Sequence, residues 1–203
     1  MQRVLIVLCA IALAFCCGFY AADRRSKPSD VSFHNMIVDP PKSLTVLITP
    51  KDKRVRKLAA QLKTPENAFS YVRDRIANDP SLPVTSAGEI LSEGRASCIG
   101  KAVLLCSLYR AMGIPAKSVR VVTGEVDDPN AIIDHAWVET ELGGVCIQQD
   151  ASNLLGLFMF DQFKDLLYTR TFIRREGFAF NDKSFAIVSR LNMLKGFGHP
   201  AVP

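Results

Sequence analysis

Histidine is scarce in this chain: its 203 residues include three, with a single tryptophan. That scarcity narrows the chemistry available. A metal site drawn from Cys98, Cys146, His135 and Asp150 would lack the close paired-ligand spacing of structural zinc sites, so neither a metal nor a cofactor is expected. Internal repeats and low-complexity tracts are also missing, which argues against a solenoid or a tract-built linker protein. No sign of charge dominates, since the formal net charge is only +5. The densest basic run, Lys51 to Lys57, carries no interleaved aromatics. It reads as the solvated start of a helix, and nucleic acid is not an expected partner.

Charge is absent altogether between Val4 and Ala22. At about 1.5 Å per helical residue this run is long enough to cross a bilayer core. Residues 1–22 therefore read as a signal peptide or an uncleaved membrane anchor. Cleavage signals are poor, because Tyr20 and Ala22 precede Asp23, and Phe15 sits where a small residue should precede a lipidated Cys16 or Cys17. Arg24, Arg25 and Lys27 outnumber Arg3, which leaves the orientation open. The expectation is a domain exported to the periplasm or beyond, or held at the membrane by residues 4–22. Cys9, Cys16 and Cys17 lie in the leader, leaving Cys98, Cys106 and Cys146. An odd number leaves one thiol free unless chains pair, and the oligomeric state stays open. Cys98 and Cys106 are roughly 12 Å apart along one helix, too far for a disulfide.

What is present falls into order after the leader. Residues 23–44 hold Pro28, Pro40 and Pro41 among polar residues and read as a linker. Leu44–Ile48 fits either a short strand or the end of that linker. Helices are expected from Pro50 to Leu62 and from Pro65, capped by Thr64, to Asp79-Pro80. A helical turn should cover Ala87–Leu91. The longest apolar element is Ala102–Met112, without Gly or Pro, followed by Gly113-Ile114-Pro115 as a stop. Ser97 is a natural N-cap for it, which puts Cys98 in its first turn, where the helix terminus favours a thiolate. Beyond Pro115 the period changes to that of strands: Ala116–Thr123, Ile132–Leu142 and Val145–Asp150, with a surface loop at Gly124–Asn130. Helical stretches are expected at Leu154–Tyr168 and Ser184–Lys195.

The Gly143-Gly144 pair signals a two-residue hairpin, in which Leu142 opposes Val145 and Trp137 opposes Asp150. His135 and Asp150 then share a face as diagonal neighbours, roughly 7–8 Å between Cα atoms. A three-residue loop would put them on opposite faces. Of the other histidines, His34 lies in the linker and His199 in the tail, so His135 alone sits in a periodic core element. A thiol at a helix start, a histidine on a strand and an aspartate on the next are what thiol catalysis needs. By parity Cys146 should share that face and pack near the Cys98 helix. Gln148 shares it too and could line the cleft. Glu139 is a polar residue of the same face, whereas Asp134 points the other way. The backbone N–H of Cys98 is an oxyanion donor by position, and no side-chain donor can be named.

The segments Gly94-Arg-Ala-Ser-Cys98, Leu108 to Pro115, Asp134-His-Ala-Trp-Val-Glu139 and Gln149-Asp-Ala-Ser152 together resemble the transglutaminase-like core, a relative of papain-type cysteine enzymes. The resemblance covers about Pro50 to Ser152, and the order Cys, His, Asp matches. It implies an α+β fold in which the nucleophile helix packs on a small antiparallel sheet, within a core at 45–152 followed by a helical extension at 153–203. It further implies Cys98 as nucleophile, His135 as base and Asp150 as orienter. Trp137 would be a packing residue beside the site and, with Gln148, a candidate for substrate binding. The implied reaction is attack on an amide of a protein or peptide substrate, with water (protease or amidase) or an amine (transglutaminase) as acceptor. A binding or scaffolding module that kept the fold is the alternative.

Overall fold

Capping chemistry sets the boundaries of the N-terminal helices. The computed structural model describes residues 42–128, 131–175 and 177–188. The leader, most of the linker, His34, His199 and the end of the expected last helix lie outside the described residues. Helix α1 spans Lys42–Thr45. It takes in only the first two residues of the stretch expected at Leu44–Ile48 as strand or linker; the rest of that stretch is a turn and irregular chain, with Leu44 and Ile48 buried. Helix α2, Lys53–Leu62, begins where the Asp52 carboxylate accepts the N–H groups of Arg54 and Val55. Helix α3, Pro65–Arg75, begins where the Thr64 side chain accepts the N–H of Asn67. It ends before Asp79-Pro80 because β1, Ala77–Asn78, pairs in parallel with β2, Arg95–Ala96. Between those strands α4, Ala87–Glu93, is opened by a Ser86–Glu89 capping box.

Helix α5, Cys98–Ala111, is the centre of the molecule. Every residue from Ile99 to Tyr109 is buried, so the helix is enclosed on all sides, as its unbroken apolar sequence requires. Full burial of a side chain such as Leu104, Leu105 or Leu108 contributes about 1.5–3 kcal/mol relative to exposure. Gly113, at φ +95°, takes the left-handed conformation that ends the helix.

The strands described after α5 build one antiparallel sheet. Its strands are β3 (Val119–Asp127), β4 (Ile132–Leu142), β5 (Val145–Gln149), β6 (Phe163–Lys164), β7 (Gly177–Phe180) and β8 (Phe185–Val188). They lie in the order β6-β5-β4-β3-β7-β8, with α6, Leu167–Phe172, between β6 and β7. A short 3-10 turn, Ala116–Ser118, occupies the start of the first expected strand. That strand in turn runs on through the expected loop, because Gly124 to Asp127 pair with His135 to Ile132. At the hairpin, Gly143 and Gly144 take φ of +60° and +80°, and Leu142 opposes Val145 as the two-residue loop demands.

The sheet has two dry faces. Val119, Val121, Ala136, Val138 and Phe180 pack towards α5 in the main core. Val122, Val126, Trp137 and Ala179 face the other way, under Phe158, Phe163, Tyr168 and Ile173. The helical extension expected from 153 onward is therefore corrected. Residues 153–162 are irregular, α6 is a short helix, and β6, β7 and β8 extend the same sheet past Ser152. Their aromatic residues supply the cover that the second face of the sheet needs, which is why the stretch looked apolar enough for helices. Among the described residues no helix is long and apolar enough to cross a membrane.

Candidate active site

Three elements bring the predicted residues together. Cys98 is the first residue of α5, with Ser97 as its N-cap, and its thiol is partly exposed. His135 lies on β4, fully buried. Asp150 is the first residue past β5. The last β4–β5 pair is Val138 with Gln149, so the edge of β4 around His135 has no strand beside it. Across that gap His135 Nε2 lies 2.8 Å from Asp150 Oδ2.

The carboxylate is itself held. Asp150 Oδ1 accepts the backbone N–H of Ser152 at 2.8 Å and its hydroxyl at 2.6 Å. Oδ2 also accepts the Tyr168 hydroxyl at 3.3 Å. With Nε2 engaged by Asp150, the other imidazole nitrogen, Nδ1, is buried without a well-formed hydrogen bond. The Cys98 thiol is a neighbour of the ring, close enough to favour its charged form. Burial works against an imidazolium here, but the Asp150 charge and hydrogen bond outweigh it, with Cys98 adding to them. The His135 pKa is raised to about 10. For Asp150, burial opposes ionisation, yet His135 and the Ser152 donors hold its carboxyl below the usual range.

A profile of the transglutaminase-like superfamily matches residues 49–151, half of the chain. The chain belongs to the transglutaminase-like superfamily. Two solved structures are similar to it. One, a candidate cysteine protease from Cytophaga hutchinsonii, is 23% identical with a TM-score of 0.46, covering 58% of this chain and 45% of its own. The other, LapG from Legionella pneumophila in an EGTA-treated form, is 14% identical with a TM-score of 0.43, covering 74% of this chain and 86% of its own. This transglutaminase-like chain thus spans less than half the length of the first of them. No curated protein matches it.

Two residues expected to bind substrate stand elsewhere in this transglutaminase-like site. Trp137 has no exposed surface; its ring lies 5.2 Å from that of Tyr168 in the second core, behind His135. Gln148 is likewise enclosed, and its amide is fully used. The nitrogen donates to Glu139 Oε1 at 2.8 Å and to Thr169 Oγ1 at 2.6 Å, and the oxygen accepts the Thr169 N–H at 3.0 Å. Both sit on the Asp150 face as parity requires, but that face is covered by α6 and its neighbours, so they support the site from within. Cys146 is corrected for the same reason. Its side chain shares the Asp150 face, among Glu139, Glu141, Arg120 and Asp165, while α5 packs on the opposite face. Glu139 is structural, with its Oε2 accepting Arg120 Nε at 2.9 Å and Nη2 at 2.7 Å.

Two supports of Asp150 were missed by sequence reasoning. Ser152 sits in a segment that carries the resemblance, and a Ser two residues after an Asp is a turn signal that could have found it. Tyr168 lies eighteen residues after Asp150, beyond an irregular stretch, and no spacing rule points to it. Lys101 was also overlooked. It is buried one helical turn after Cys98, where its ammonium donates to the Arg73 carbonyl at 3.3 Å. Burial lowers its pKa, while Asp150 and Asp74 act in the opposite direction.

Proposed function

We propose that this transglutaminase-like chain performs thiol-dependent acyl transfer or hydrolysis at an amide bond, with Cys98 as nucleophile, His135 as base and Asp150 as orienter. The observation that carries the reading is the His135–Asp150 contact of 2.8 Å, which leaves Nδ1 free of the carboxylate, with Cys98 beside the ring. His135 holds the thiol proton at Nδ1 before substrate is attacked, and the sulfur freed of it bonds to the substrate carbonyl carbon. Collapse of the tetrahedral intermediate breaks the C–N bond, and the departing amine takes the proton back from His135. The resulting thioester is resolved by water, which restores the thiol and releases an acid, or by a second amine, which forms a new amide. Water is the preferred acceptor, because no amine-binding feature is evident in the sequence. A protein or peptide amide is the proposed substrate. The domain is exported or membrane-tethered in this reading, supported by the uncharged run from Val4 to Ala22.

The test is labelling of the full chain with an amide-based electrophile, compared between wild type and Cys98→Ala. Label confined to Cys98 and lost in the variant is the expected result. Equal labelling of both would refute the reading in favour of a scaffold that kept the fold.

A further inference from the structure

Polar groups gather without partners at the start of α5. Ser97 caps the helix, yet its hydroxyl makes no capping bond and is enclosed, the residue being 2% exposed. The first-turn N–H groups, that of Cys98 among them, are therefore left without a side-chain acceptor. Beside this terminus runs β1. Asn78 is the register partner of Ala96, and the Asp79 N–H donates to the Ala96 carbonyl at 2.9 Å.

Register partners on neighbouring strands present their side chains to the same face. For Ala96 that face is the first turn of α5, since a Cβ added to Gly100 would lie 2.8 Å from the Ala96 Cβ. Asn78 projects on the same side, one strand over from the peptide that leads into Cys98. It is half-buried, and its amide oxygen is enclosed with no hydrogen-bond partner. Among the described residues its side-chain nitrogen makes no hydrogen bond either. Native interiors seldom leave a carboxamide idle, and those that do call for an explanation. Ser97 is too enclosed to meet a substrate. Asn78 keeps an open side.

We propose that Asn78 supplies the side-chain donor of an oxyanion site whose other donor is the Cys98 backbone N–H. The inference rests on the acyl-transfer reading above and deepens it. As Sγ bonds to the carbonyl carbon, the C=O π pair moves onto oxygen. That oxygen accepts from Cys98 N–H and from Asn78 Nδ2–H. When the C=O bond reforms, the C–N or C–O bond to the leaving group breaks and both hydrogen bonds weaken. The donors thus act on the transition state more than on the bound substrate. His135 and Asn78 serve the thiol from different elements, β4 and β1, so proton transfer and charge stabilisation can be separated experimentally.

The probes are p-nitrophenyl acetate, which acylates through a tetrahedral oxyanion, and iodoacetamide, which alkylates a thiol without one. Full-length wild type, Asn78→Ala, Asn78→Asp and Cys98→Ala are compared, with the melting temperature of each recorded. Asn78→Ala should lower the rate of Cys98 acylation about 100-fold, as loss of one oxyanion donor does elsewhere. Alkylation of Cys98 should stay within about twofold, which a merely structural role for Asn78 would not allow. Asn78→Asp keeps the shape but offers a carboxylate, and should lose acylation at least as severely. Acylation of Asn78→Ala at the wild-type rate would overturn the assignment alone. So would an equal fall in both reactions, which would make Asn78 a residue that holds Cys98 in place. If Cys98→Ala releases p-nitrophenol as fast as wild type, the acyl-transfer reading fails and the oxyanion assignment with it.

Discussion

His135 and Asp150 sit on neighbouring chain segments with Nε2 and Oδ2 2.8 Å apart, both fully buried. A buried histidine with no anion beside it would shed its proton below the usual value, so its charge here is the work of Asp150. The raised His135 pKa stabilises the fold fully below the unfolded value of about 6.5, and that stabilisation is lost as pH rises through about 10. The depressed Asp150 pKa acts on the acid side, stabilising above the usual carboxylate value and failing as pH drops through its lowered one. In NMR titration, the His135 ring of the wild type should stay protonated through neutral pH. Asp150→Asn should bring its titration down to the ordinary range or below, and should flatten the alkaline fall in stability. An unchanged His135 titration in that variant would mean that Asp150 is not its partner in solution.

Three thiols in the domain provide a second check. Burial raises the Cys146 pKa to about 12 and that of Cys106 further still. Peptide mapping after brief iodoacetamide treatment at neutral pH should find Cys98 modified and the other two intact. Modification of Cys106 at a similar rate would mean that α5 is not enclosed as described.

Gln148 distinguishes support from substrate contact. Gln148→Ala removes both donors and the acceptor of a buried amide, leaving the Thr169 N–H unsatisfied, and should cost about 1–3 kcal/mol in chemical denaturation. Alkylation of Cys98 should be little changed at temperatures where the variant is folded. A stable variant with a raised KM would restore Gln148 to the substrate side.

The main core sets the scale of stability. Leu104→Ala, at a site with no exposed surface in α5, should cost about 2–5 kcal/mol. A loss well under 1 kcal/mol would show that the helix is looser than its burial implies.

Much of this arrangement was legible in the sequence because short-range rules fix it. The Gly143-Gly144 loop sets the register of β4 and β5, and register alone puts His135 and Asp150 on one face. Ser97 and Gly113 bracket α5, which fixes Cys98 at its start. What resisted reading depends on tertiary packing. The run after Ser152 is aromatic enough for a helix, but Phe158, Phe163 and Tyr168 face one side of the sheet across an irregular path. Trp137 and Gln148 were correctly assigned to a face, yet nothing local says that this face is covered. Asn78 and Ala96 are eighteen residues apart, and a two-residue parallel pairing leaves no pattern to find.

Transfer of an acyl group to Cys98 is the most direct test of the account. The full chain would be incubated with p-nitrophenyl acetate near neutral pH, quenched in acid, and the adduct mapped by peptide mass spectrometry. An acetyl group on Cys98, absent in Cys98→Ala and formed about 10²–10⁴-fold more slowly in His135→Ala, is the predicted result. No adduct on Cys98, or one that forms as fast without His135, would contradict the assignment of this site to acyl transfer.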